Sequence, residues 1–244
     1  MNAKRTLVIG IPLPQFSFDN YSFVSAPSFS DYPRMIVEMA AVSQTVEEVA
    51  AGSEQHSTYS GQPVVNRLTS AVAFGLADLL TMRRREAERF LARGGILVAF
   101  AHLDVPHPRI GGSPGWRRYA WLPAPEGFRY QEHLLPGFGQ VTTTDEDAAY
   151  AFAPYLEAFA LRLAYRTHFD EEAPGFRDYA RVFARSPGGL AVAVEIAVAG
   201  GRVILLPPLA RIEQEERAVL AGTLLACLDR MAGPPESGGV STDA

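Results

Sequence analysis

The sequence predicts an α/β domain built on a mostly parallel β-sheet. Two short apolar runs at 6–11 and 96–101, rich in aliphatic residues, have the composition of strands that are buried on both faces. The second run follows an amphipathic helix pattern and a Gly-Gly pair, which is the order of one half of a βαβ unit. With 244 residues and 48% hydrophobic content, the chain can bury such a sheet without disulfides or metal.

The first half of the chain supplies two predicted strands and one clear helix. An aromatic segment at 15–33 predicts a long ordered loop, and residues 34–42 are the second strand after 6–11. The polar stretch that follows has only a weak helical pattern, at 44–51. Residues 76–93 place leucine, alanine and phenylalanine on one stripe and arginines on the other, so they predict a helix that Gly-Gly ends.

The second half predicts an insertion, a helix, three strands and a closing helix. Residues 103–140 are rich in proline, glycine and aromatics, and a segment of this length favours an insertion or a lid over a site. The later helices and strands are predicted at 148–163, 179–185, 190–198, 202–206 and 213–231. The composition of 233–244 predicts a disordered tail, which leaves 1–232 as one domain.

Composition argues against several classes of protein. A net charge of −5 argues against binding to nucleic acid or to anionic lipid. No apolar run reaches the roughly 20 residues of a membrane-spanning helix, and the first residues lack a signal-peptide cleavage pattern, so we expect a cytoplasmic protein. The single cysteine, Cys227, excludes a cysteine zinc cluster, and its place on an apolar helix stripe predicts inert packing.

Polar side chains follow three predicted strand ends. Ligands of open α/β sheets bind beyond the carboxyl ends of the strands, which here brings Gln15, Ser43 and His102 toward one edge. His102 opens a His-x-Asp-x-x-His pattern with Asp104 and His107, which suits a base with an orienting acid or a divalent metal. The spacing matches no standard zinc motif, so we assign no metal; the pattern also fits a surface loop that hydrogen-bonds its own backbone.

The insertion also holds a cluster of aromatic and basic residues. Such side chains anchor protein interfaces, so they are candidate partner-binding residues: Trp116, Arg117, Arg118, Tyr119 and Trp121. The alternative is that the aromatics pack the insertion onto the core. Gly-x-Gly-x-x-Gly loops and Walker A loops do not occur in the sequence, so we expect no nucleotide cofactor.

Three segments together resemble one known group of proteins. They are FLARGGILVAFAH at 90–102, TTTDEDAAYAFAPYL at 142–156 and ARSPGGLAVAVEIAVAGGRVILLPP at 184–208. The first is similar to the helix, Gly-Gly, strand and His of trehalose-utilisation (ThuA-like) proteins, in the class I glutamine amidotransferase-like superfamily. The second resembles their later acidic segment without its usual Asp-His-Pro, and the third resembles their closing hairpin.

This resemblance implies a flavodoxin-like three-layer sandwich with a mostly parallel sheet and an extra β-hairpin. It does not bring amidotransferase activity, because that chemistry uses a cysteine on a tight Gly-x-Cys-x-Gly turn. The corresponding strand end here has no thiol and ends in His102, the one site residue that the resemblance carries over. The chain is therefore interpreted as a degenerate member of the group.

Two functions from different classes follow. The leading hypothesis is a non-catalytic domain that binds a protein partner or a small polar ligand through the aromatic loops at 15–33 and 103–140. The alternative is an enzyme acting on a small polar substrate such as a sugar, with His102 and Asp104 as catalytic residues. A structural subunit of a larger complex is a third hypothesis, and homo-oligomerisation stays open.

Overall fold

The structure is a computed structural model of the 244-residue chain. It describes residues 5–14, 16–50, 54–59, 62–68, 70–103, 117–130, 132–135, 137–143 and 150–231. Several predicted residues lie outside these ranges, and so does the predicted tail.

The main sheet contains seven strands. They are β1 (Thr6–Ile9), β2 (Phe18–Tyr21), β3 (Arg34–Glu38), β6 (Ile96–Phe100), β9 (Ala180–Arg185), β10 (Ala191–Val198) and β11 (Gly201–Leu206). Two antiparallel pairs lie outside it: β4 (Glu54–Tyr59) with β5 (Gln62–Leu68), and β7 (Glu132–Leu134) with β8 (Thr167–Phe169).

The helices within the described ranges differ widely in length. They are α1 (Met39–Ala50), α2 (Ser70–Ala92), α3 (Ala153–Ala158), α4 (Phe176–Tyr179) and α5 (Glu216–Met231), with a 3-10 turn at Phe29–Asp31. None of these helices is both long and apolar enough to cross a membrane.

The order of strands across the sheet is β2-β1-β3-β6-β11-β10-β9. The first five strands run parallel, and the β9–β10–β11 pairings are antiparallel. Strand order 2-1-3 followed by two further parallel strands is that of the flavodoxin-like doubly wound sheet. The predicted α/β class, with a mostly parallel sheet and an added β-hairpin, is confirmed.

Helices cover both faces of the sheet, because its central strands are apolar on both sides. One face packs against α1, α2 and the aromatic residues of 23–29. The other face packs against α3 and α5, whose Leu220, Leu224 and Cys227 are fully buried. These two cores make the three-layer sandwich and leave the carboxyl edge of the parallel strands as the place where loops meet.

One predicted strand is shorter than expected. Residues 34–42 were predicted as a single strand, but β3 ends at Glu38 and α1 begins at Met39. Apolar periodicity continues across the boundary, because Met39 and Val42 are buried in the helix as completely as the strand residues are in the sheet. The correction moves the strand end from Val42 back to Glu38.

The sequence analysis also missed several short strands. The edge strand β2 lies within the segment predicted as a loop at 15–33, and the β4–β5 hairpin lies in the polar stretch after α1. Strands of three to four residues, such as β7 and β2, are too short to show a period. Of the helix predicted at 148–163, the described part is helical only at Ala153–Ala158, after which turns lead to Leu163.

A buried arginine fastens the aromatic loop to α2. The Arg83 side chain is 2% exposed and donates hydrogen bonds to four backbone carbonyls, those of Phe23, Val24, Ala26 and Pro27. Its fifth hydrogen bond goes to Glu86 Oε2, at 2.7 Å. The guanidinium also lies over the aromatic rings of Phe23 and Phe29. One side chain on α2 therefore determines the path of the loop.

A second polar contact holds the connection between β1 and β2. The Asn20 side chain accepts from the Leu13 amide at 2.8 Å and donates to the Leu13 carbonyl at 3.0 Å. This pair of bonds imitates the pairing of two backbone strands. Leu13 is buried, so the two bonds satisfy backbone groups that water does not reach.

We expect Arg83→Met to lower the free energy of unfolding by about 3–5 kcal/mol, because it leaves a buried Glu86 carboxylate without its cation. Urea denaturation measures this loss. The matched control is Arg84→Met, which removes an exposed i,i+4 pair with Glu88 and costs at most about 0.5 kcal/mol. Equal losses in the two variants would contradict the role of Arg83.

We expect the Cys227 thiol to be unreactive in the folded protein. Burial raises its pKa to about 11, so the thiol stays protonated at pH 8. Labelling by iodoacetamide at pH 8 is therefore slow in buffer and fast in urea. Since the folded pKa exceeds the ordinary 9.0, the unfolded state loses its proton first, and stability falls as pH rises above 9. Rapid labelling in buffer would contradict the buried position.

Candidate functional site

Three segments meet at the carboxyl edge of the sheet. The first is the end of β3 with the start of α1, the second is the end of β6, and the third is the turn at 117–122. β3 and β6 are parallel neighbours in which Glu38 pairs with Phe100, so the residues that follow each strand emerge side by side. This edge is where doubly wound folds bind ligands.

Glu38 and His102 form a close pair at this edge. His102 Nε2 lies 2.5 Å from Glu38 Oε1, and the two side chains are 23% and 20% exposed. Nε2 is enclosed and the oxygen lies off the N–H direction, so the contact is close without being a straight hydrogen bond. The same Oε1 accepts from the Ala40 amide at 3.2 Å, which orients the carboxylate at the start of α1.

Tyr119 holds the backbone of His102 in place. Its hydroxyl donates to the His102 carbonyl at 3.0 Å and accepts from the His102 amide at 3.2 Å. The Tyr119 ring is buried and stacks on Tyr130 at 5.5 Å between ring centroids. A buried hydroxyl that satisfies both backbone groups of one residue fixes the position of the imidazole at the strand end.

Arg118 spans the gap between α1 and the end of β6. Its Nε donates to Ser43 Oγ at 3.2 Å, and its Nη1 donates to the Leu103 carbonyl. The side chain is half-buried. The predicted residues Ser43, His102 and Arg118 are therefore brought together at one edge.

Gly10 allows α1 to start this close to β1. It follows β1 with φ of +82°, a left-handed conformation that favours glycine. A Cβ on Gly10 would lie 2.2 Å from the Cβ of Ala41 and 3.3 Å from that of Glu38. The absence of a side chain at this position lets the first turn of α1, and with it the Glu38 carboxylate, lie against the end of β1.

A buried tyrosine lies near the carboxylate. The Tyr155 hydroxyl, on α3, donates to the Pro207 carbonyl at 2.7 Å. Burial first, and then the charge of Glu38, raise the pKa of Tyr155 well above its usual value. Tyr155 therefore stays protonated, and its hydroxyl is committed to the backbone after β11.

The remaining predicted site residues have no described contact with the Glu38–His102 pair. Arg117 lies in the turn at 117–122 and is exposed. Gln15, Asp104, His107 and Trp116 lie outside the described residues. Their predicted roles, and the convergence of His102 with Asp104 and His107, stay predictions.

Two predicted interface anchors lie in the core instead. Tyr119 is 4% exposed and Trp121 is 0% exposed. Trp121 packs edge-on against Phe23 and Phe29, with ring centroids 5.3 and 5.8 Å apart. The prediction that these two side chains present themselves to a partner is corrected. The alternative weighed in the sequence, packing of the insertion onto the core, is what the structure shows for them.

Glu38 is the site residue that sequence reasoning missed. It was placed inside the strand predicted at 34–42, where its side chain had no evident role. The available signal was the composition of Met39–Val42, which suits a helix as well as a strand. A helix boundary at Met39 would have left Glu38 as the last strand residue, at the carboxyl edge.

Comparisons with known sequences identify no family. No protein-family model matches the chain, and no curated protein matches its sequence.

Several solved structures match at low similarity. The GH42 β-galactosidase Gan42B is 12% identical with a TM-score of 0.39, and the match covers 87% of this chain. The chain spans only 23% of that enzyme. The cytoplasmic protein STM1381 from Salmonella typhimurium LT2 is 9% identical with a TM-score of 0.48, covering 94% of this chain and 100% of that protein. The cytoplasmic protein STM3548 from Salmonella typhimurium is 8% identical with a TM-score of 0.43, covering 91% and 98%. No function follows from these likenesses.

We expect Trp121→Ala to lower the free energy of unfolding by about 3–5 kcal/mol, because it empties a fully buried site between Phe23 and Phe29. Thermal or urea unfolding measures the change. Phe74→Ala is the control, since Phe74 is 71% exposed and its truncation changes stability by at most about 0.5 kcal/mol. A Trp121→Ala protein as stable as the wild type would contradict the packing of Trp121 between Phe23 and Phe29.

Proposed function

We propose that the protein binds a small polar ligand at the carboxyl edge of its sheet, through the Glu38–His102 pair and Arg118. The observation that carries this proposal is the 2.5 Å contact between two half-buried ionisable side chains at that edge. Enclosing ionisable side chains away from water is unfavourable, and at the ligand-binding edge of a doubly wound sheet a contact with ligand offsets that cost.

The binding surface in this proposal differs from the aromatic loops of the leading hypothesis. Tyr119 and Trp121 are buried, so they support the site from below rather than contact the ligand. The polar side chains of the site are only partly buried. Nε2 of His102 is enclosed against Glu38, whereas Nδ1 lies on the more exposed side of the ring.

The resemblance to ThuA-like proteins remains part of the proposal. It pointed to His102 at the end of a central strand, which is the residue on which the site geometry depends. A degenerate amidotransferase-like domain with a retained ligand site is consistent with the flavodoxin-like sheet and with the absence of a thiol at this strand end.

The second candidate function is acid–base catalysis at the same site. A carboxylate that holds one imidazole nitrogen leaves the other nitrogen to accept or deliver a proton, which is the usual arrangement of a general base. Among the described residues, Glu38 is the acid that lies against His102. The substrate class in this case is a small polar molecule such as a sugar.

We expect a ligand from a panel of sugars, amino acids, nucleotides and organic acids to raise the midpoint of thermal unfolding. At 100 times its dissociation constant a ligand stabilises by about 2.7 kcal/mol. His102→Gln and Glu38→Gln should each remove this shift, because they break the 2.5 Å pair. His133→Gln is the matched control, since His133 is exposed and lies on β7.

Two outcomes decide between the functions. A shift that persists in both site variants, or a panel that gives no shift, contradicts the proposed site. If a ligand binds, its incubation with the wild-type protein and analysis by NMR separate the two candidates. Chemical conversion that His102→Gln abolishes establishes the enzyme, and an unchanged ligand supports the binding domain.

A further inference from the structure

Arg118 differs from other enclosed arginines in the charge of its partners. Arg83 and Arg185 each pair with a carboxylate, at 2.7 and 2.5 Å. Arg118 instead donates to a hydroxyl, that of Ser43, and to a backbone carbonyl, that of Leu103. Among the residues that the structure describes, no carboxylate pairs with Arg118. The positive charge of Arg118 is therefore fixed in position, and no carboxylate among the described residues neutralises it.

The guanidinium of Arg118 also has unused donors. An arginine side chain carries five N–H donors in a planar fork. Here Nε and Nη1 each make one hydrogen bond, to partners on two different segments, which fixes the plane of the group. Nη2 bonds to none of the described residues and is not an enclosed, unsatisfied atom, so it is open to solvent.

The Glu38 carboxylate lies against His102, at 2.5 Å, and makes no ion pair with Arg118, whose partners are the Ser43 hydroxyl and the Leu103 carbonyl. Building on the proposed function, we infer that the ligand carries an oxyanion, a carboxylate or a phosphate group, which Arg118 binds. Both groups present two oxygens at the spacing of the guanidinium fork, and charge-assisted bonds of this kind are among the strongest in proteins.

The geometry also sets the orientation of the ligand in the site. Arg118 reaches the site from the turn at 117–122, whereas the Glu38–His102 pair projects from the ends of β3 and β6. The anionic group of the ligand lies at Arg118, and its uncharged polar part faces the imidazole. This arrangement distinguishes organic acids and phosphate esters from neutral sugars and polyols.

The test uses inorganic phosphate and acetate as anion probes and glucose as the neutral probe. Thermal unfolding is followed at pH 7 and constant ionic strength, with sodium chloride as the reference salt. Phosphate stabilises many proteins without specific binding, so every shift is compared between wild type and variants. The variants are Arg118→Gln, Arg118→Lys and the control Arg89→Gln, an exposed arginine on α2.

We expect at least one anion to raise the unfolding midpoint of the wild type and of Arg89→Gln more than that of Arg118→Gln. From the dependence on probe concentration, the dissociation constant weakens by about 10-fold to 100-fold in Arg118→Gln, the usual worth of a bond to a charged group. Arg118→Lys keeps the charge without the fork and is intermediate. The difference between acetate and phosphate tells which oxyanion the site prefers.

A second measurement needs no variant and covers the case in which Arg118→Gln does not fold. Phenylglyoxal modification of Arg118 in the wild type, followed by peptide mass spectrometry, is slowed by the bound anion, while modification of Arg89 is not. Anion shifts equal in wild type and Arg118→Gln, or unprotected Arg118, overturn the inference. If glucose alone stabilises, in a way that requires His102, the inference fails and the proposed function stands.

Discussion

The burial of Arg83 is the constraint on which this side of the molecule depends. A guanidinium that is 2% exposed must satisfy its donors inside the protein, and it does so with four loop carbonyls and Glu86. The loop is thereby held over the sheet with Phe23 and Phe29 facing Trp121. Trp121 in turn anchors the turn that carries Arg118 and Tyr119, and these two residues complete and support the candidate site.

Contacts beneath the candidate site hold its side chains in place. Tyr119 fixes the His102 backbone, the Ala40 amide orients the Glu38 carboxylate, and Gly10 lets the first turn of α1 approach. Each of these contacts involves a strand end or a helix start, where backbone groups have no partner within their own element. The same geometry that leaves those groups unsatisfied makes the edge a place where polar side chains collect.

Much of the fold was predictable because burial leaves long patterns in the sequence. The strands around 96–101 and 190–206 and the helices ending at Ala92 and Met231 follow from composition and periodicity alone. Glu38 was not predictable in the same way, since its role depends on a boundary between two apolar segments. The burial of Trp121 was not either, because an aromatic residue in an irregular segment has the same sequence signature whether it faces solvent or the core.

The pairing of Asn20 with Leu13 has a consequence for the long-term chemical stability of the protein. Deamidation would convert Asn20 to Asp and replace the Nδ2 donor, which now binds the Leu13 carbonyl, with a negatively charged oxygen. Two acceptors would then face each other beside β2 at the edge of the sheet, so the chemical stability of a single amide limits how long the β1–β2 connection keeps its shape.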